Sequence, residues 1–118
     1  MNKDIAKKWV DALRSGEYKQ GKGYLKNAAG EYCCLGVLCE VVGEKFTLFQ
    51  GEPSYRCGIN SHNLYLPPEI VAKAGLRTSN GFISKSGTYA YSNLADMNDN
   101  CMSFEYIADV IEKEVEKL

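Results

Sequence analysis

The chain has 118 residues, a formal net charge of −1 and 45% hydrophobic residues, so it can fill one hydrophobic core and is too short for two ordinary domains. That balance excludes a disordered tail, a collagen-like rod and a strongly basic nucleic-acid binder. No apolar run approaches the ~20 residues of a membrane helix, and no secretory apolar region follows Met1, so the expectation is one soluble intracellular domain over 1–118.

Residues 2–14 read as a helix. Asn2 can cap it, Asp4 suits its positive end, and Ile5, Trp9, Ala12 and Leu13 form one apolar stripe before Ser15-Gly16 stops it. Residues 16–32 change character: Gly16, Gly21 and Gly23 alternate with Tyr18, Lys19, Gln20, Lys22, Tyr24 and Lys26. This segment reads as a loop entering a short hairpin, with strands Tyr24–Lys26 and Glu31–Cys33 around the turn Asn27–Gly30. Residues 34–42 hold one charge and two flanking or internal glycines, which predicts a central helix, apolar all round. Phe46–Phe49 reads as a strand before the Gly51–Ser54 turn. Pro67-Pro68 opens a helix that Gly75 ends. A second hairpin is expected from Phe82–Ser84 and Thr88–Ala90 around Lys85-Ser86-Gly87, then a helical turn from Ser92 to Met97. Ser103 caps the last helix, whose inner face is Phe104, Ile107, Ala108, Ile111, Val115 and Leu118. The fold class expected is α+β, a single compact domain of about four helices with short antiparallel hairpins.

Charge is uneven along the chain. Residues 1–30 sum to +4 and residues 96–118 to −5, so the two ends either attract different partners or pack on each other.

Three constellations carry potential chemistry. In the first, Arg14, Lys19 and Lys22 can pair with phosphate, Tyr18 and Tyr24 can stack on a base, and Gln20 can read a base or ribose edge. Cys33 and Cys34 open the central helix with no Ser, Thr, Asp or Asn to cap it, leaving free N–H groups and a positive dipole for an anion. The expected ligand-binding set is therefore Arg14, Tyr18, Lys19, Gln20, Lys22, Tyr24, Cys33 and Cys34, against the plainer reading of a solvated loop. The second is a cysteine nucleophile, Cys33 or Cys34, with His62 as base. The third is an acidic set, Asp96, Asp99, Glu105 and Asp109, for which turn-making is the simpler role. The five cysteines lack paired metal-ligand spacing, so buried free thiols are expected, with no cofactor and no metal.

Trp9…Ala12-Leu13-Arg14-Ser15-Gly16-x-Tyr18-x-Gln20-Gly21, Tyr32-Cys33-Cys34-Leu35-Gly36-Val37-Leu38-Cys39 and Asn98-Asp99…Ser103-Phe104-x-x-Ile107-Ala108-Asp109 together resemble a family of small bacteriophage and prophage proteins. Met97 departs from it, standing where leucine is expected. The resemblance implies a protein of the infected bacterium's cytoplasm and supplies no catalytic mechanism. By analogy it points to an accessory, anti-defence role. The leading expectation is a non-enzymatic protein that sequesters a small phosphate-bearing ligand such as a nucleotide signal, with a homo-oligomer able to enclose it. The alternatives are an inhibitor that binds a host protein directly, through the acidic last helix or the tyrosine-rich loops, and a cysteine-dependent hydrolase.

Overall fold

A computed structural model describes residues 1–84 and 87–118. Five helices follow in order: α1 Lys3–Arg14, α2 Cys34–Val41, α3 Pro68–Ala74, α4 Leu94–Asp99 and α5 Phe104–Glu114. Their ends match local chemistry. The side chains of Asn2, Asn93 and Ser103 each accept from a first-turn amide of α1, α4 and α5, and Gly75 closes α3 at φ 70°.

The core is built around α2. Cys34, Leu35, Val37, Leu38 and Cys39 are all at 0% exposure, so this helix buries every face. Trp9 of α1, also fully buried, packs on it and donates its indole N–H to the Cys34 carbonyl at 2.8 Å. That bond removes the cost of hiding the ring's one polar atom, and the ring itself contributes roughly 200 Å² of buried surface. Helix α5 lies along α1, and α4 bridges α2 and α5. Gly36 decides how closely the 20–33 loop crosses α2: a Cβ there would stand 1.8 Å from the Leu25 carbonyl oxygen.

The described residues are α-rich, which corrects the α+β expectation. The hairpin expected at 24–33 is a single bridge, Lys26 to Tyr32, closed by the Gly30 N–H donating to Asn27 at 2.9 Å. Gln20 also bridges Tyr32, in parallel, so three stretches meet at one tyrosine where two longer strands were expected. Thr47 bridges Arg56 and Cys57 bridges His62, each as an isolated pair. Phe82 bridges Asn93, not a residue of 88–90, and Lys85 and Ser86 of the second expected hairpin lie outside the described residues. The physical reason is the glycine spacing: turns recur every few residues from Gly16 to Gly58, before a ladder can extend.

The two oppositely charged ends meet. Arg14 faces Asp109, Glu112 and Glu105, and Lys3 pairs with Glu116, joining α1 to α5 and its C-terminal end. No helix among the described residues is long and apolar enough to cross a membrane.

Candidate functional site

The residues expected to take an anion are placed in different surroundings. The Arg14 guanidinium donates to Asp109 at 2.5 Å and Glu112 at 2.7 Å, and these hydrogen bonds push its pKa up. Lys19 pairs with Glu31 at 3.4 Å. Lys22 donates to the Cys101 sulfur at 2.8 Å, with Asp99 adding further negative charge nearby. Tyr18 lies edge-on to Tyr32, ring centroids 5.1 Å apart, and Tyr24 is half-buried. Arg14 and Lys19 thus neutralise the chain's own acids.

Gln20 has a structural task. Its amide donates to the Asn98 side-chain oxygen at 2.9 Å and to the Met102 carbonyl at 2.8 Å. Asn98 is fully buried and central here. Its oxygen also accepts from the Cys34 N–H at 3.1 Å, and its nitrogen donates to the Gly21 carbonyl at 2.8 Å. The first amide of α2 is therefore capped by a residue of α4, not left open. Asp99 stands beside it and accepts from the Gly23 N–H at 2.9 Å. A fixed carboxylate at this tip opposes a further negative group.

Cys33 and Cys34 are both buried thiols. Burial pushes the Cys33 pKa up to about 12, against the opposing pull of the Gly36 and Leu35 amides. Cys34 is raised well above its ordinary value by the same cause, and its thiol donates to the Leu94 carbonyl at 3.5 Å. Burial thus favours the neutral thiol in both, against the lowered pKa that a helix-start nucleophile needs. The backbone of His62 is tied to Cys57, with N–H to carbonyl distances of 2.9 and 2.7 Å, and no hydrogen bond joins it to Cys33 or Cys34 among the described residues. Nor do those residues contain a group of three or more metal-ligating side chains.

One cavity of about 200 Å³ sits beside the α2 tip, lined by Gly23, Cys33, Leu64, Tyr65, Ala95 and Asp99. Of the expected set, only Cys33 lines it. It is smaller than the ~300 Å³ lower end of small-molecule sites.

A feature that sequence reasoning missed holds the loops in place. The Lys26 ammonium stands 4.2 Å from the Tyr55 ring centroid, 5.1 Å from Tyr32 and 5.6 Å from Phe46. The rings themselves meet edge to face, Tyr32 on Phe46 and Phe46 on Tyr55. This seam anchors segment 44–57 to the start of α2. Beyond the seam the same stretch of chain is apolar and outward. Leu48, Phe49, Ile59, Leu64 and Tyr65 are five of the six large exposed hydrophobic residues among the described residues, Tyr106 being the sixth. They fall in two runs, 46–51 and 57–66, that contain no Asp, Glu, Lys or Arg.

A family model described as Domain of unknown function (DUF8296) matches residues 1–115. The chain belongs to this family. No curated protein and no solved structure matches it.

Proposed function

We propose that this is a binding protein without catalytic machinery, and that it acts by docking the 44–66 segment on a partner protein. The observation that carries this reading is the pair of uncharged runs holding Leu48, Phe49, Ile59, Leu64 and Tyr65 in contact with solvent. Interface centres are depleted in charge and enriched in aromatic residues, and exposed apolar side chains gathered in one segment mark such surfaces. The resemblance to phage and prophage proteins supports a partner from the infected bacterium and an anti-defence role in its cytoplasm.

The experiment compares the tagged chain with its Phe49→Ser and Tyr65→Ser variants in extracts of a bacterial host. A stoichiometric host protein retained by the parent and lost by both variants, with their thermal midpoints unchanged, supports the reading. Retention indifferent to both changes overturns it.

A small phosphate-bearing ligand is the weaker second reading: Lys22 stands next to Gly23 of the cavity, while Asp99 in the same lining opposes an anion. Calorimetry with a panel of linear and cyclic nucleotides tests it. Heat that vanishes in Lys22→Ala favours it over docking, and no heat at low ionic strength removes it. Sizing chromatography in the same preparation reports whether a second copy encloses the ligand.

A further inference from the structure

We propose that Cys39 and Cys57 form a dithiol–disulfide pair that locks the 44–66 segment to α2. Their sulfurs are 4.0 Å apart, both residues are buried, and the two lie on different parts of the fold. Cys39 is on α2, held at 0% exposure. Cys57 opens the second uncharged run and bridges His62 across a turn. A disulfide needs about 2.05 Å between sulfurs, so closure requires rotation about the Cα–Cβ bonds and a small inward shift of the turn. The turn is the more movable partner: beyond its internal Cys57–His62 bridge it is tied to its surroundings by single bonds such as the Ile59 N–H on the Glu69 carboxylate at 2.8 Å and the Leu25 N–H on the Asn63 carbonyl at 2.8 Å, whereas the first turns of α2 are fully buried.

The oxidant is a low-molecular-weight disulfide such as glutathione disulfide. With the turn lifted, the Cys57 thiolate attacks one oxidant sulfur, the oxidant's S–S bond breaks, and one small thiolate leaves. The Cys39 thiolate then attacks the Cys57 sulfur, the mixed S–S bond breaks, and the second small thiolate leaves. Two protons and two electrons pass from the protein to the oxidant, which becomes two thiols. The product is a cross-link between residues 18 apart in sequence, which removes the turn's freedom to move from α2. The inference rests on this sulfur contact and stands apart from the docking reading.

The test equilibrates the full chain, and a Cys101→Ser variant lacking the exposed thiol, with glutathione disulfide and its thiol over a range of ratios. The readouts are intact mass, disulfide mapping and hydrogen exchange. The expected result is loss of two hydrogens per chain, one cross-linked peptide pair containing Cys39 and Cys57, and slower exchange over residues 54–63. Addition of dithiothreitol reverses all three. A parallel Cys57→Ala variant should lose the cross-link while its circular dichroism stays unchanged. Two outcomes overturn the proposal: Cys39 and Cys57 remain thiols at every ratio, even in mild urea, or the mapped cross-link joins other cysteines.

Discussion

The helical part of the molecule and the 44–66 segment are built on opposite plans. Around α2, apolar side chains face inward from four helices, and each buried polar group has a partner: the Trp9 indole on Cys34, and the Asn98 amide on Cys34, Gly21 and Gln20. In 44–66 the backbone is held by isolated bridges and the Lys26 seam, while Phe49 at 54% and Ile59 at 85% exposure face outward. One part spends its apolar residues on stability and the other leaves them at the surface. That division is what the proposed docking of 44–66 rests on, because apolar side chains gathered at a surface are a mark of interaction sites.

The sharpest test of the contrast is Gly36→Ala. A methyl group 1.8 Å from the Leu25 oxygen forces the 20–33 loop off α2, with an expected loss of about 3 kcal/mol or more of stability. Urea titration followed by circular dichroism measures it, and a loss below about 1 kcal/mol would show that the crossing is looser than described. Next is Asn98→Ala, which strands the Cys34 N–H, the Gly21 carbonyl and the Gln20 amide. The expected cost is about 3 kcal/mol, and Gln20→Ala in the same background should then add little, because the two residues act as one unit.

Alkaline pH should weaken the helical part first. The Cys33 thiol ionises near 9.0 when unfolded and near 12 when folded, so the native state holds more protons between those values. Stability is therefore fully present below pH 9 and falls as pH rises toward 12, by an amount on the order of a few kcal/mol. Tyr32, buried and donating to Glu40 at 2.8 Å, shifts in the same direction. Urea midpoints at pH 8 and pH 10.5 check this, and Cys33→Ala should flatten the decline. The smallest effect is expected at Lys26→Met, which keeps the stem and removes the charge from the three rings. About 1 kcal/mol should be lost, with faster hydrogen exchange in 44–57 and none in α1 or α5.

The two parts also differ in how far sequence reasoning reached them. Helices α1, α3 and α5 were legible because their signals are local: Asn2, Pro68 and Ser103 at one end, Gly75 at another, and apolar residues at helical spacing between. The α2 helix was legible from its near absence of charge. The site was not. Arg14, Lys19 and Lys22 looked like a phosphate set because spacing along the chain shows which cations are close, and nothing in it shows which acids fold against them. Asp109 and Glu112 are 95 and 98 residues from Arg14.

The ends of α1 and α3, the start of α5, the central place of α2 and the absence of charge in 46–51 and 57–66 are all readable from the sequence, whereas the helical turn expected from Ser92 to Met97 runs from Leu94 to Asp99 behind the Asn93 cap. The readable features follow from propensity, capping and composition within a few residues. The Asn98 cap on α2, the Gln20 bond to Asn98, the Lys26 ammonium among three rings and the meeting of Cys39 with Cys57 come from the folded packing instead. Each of those is a contact between distant parts of the chain, whose partner is selected by the packing of the whole core.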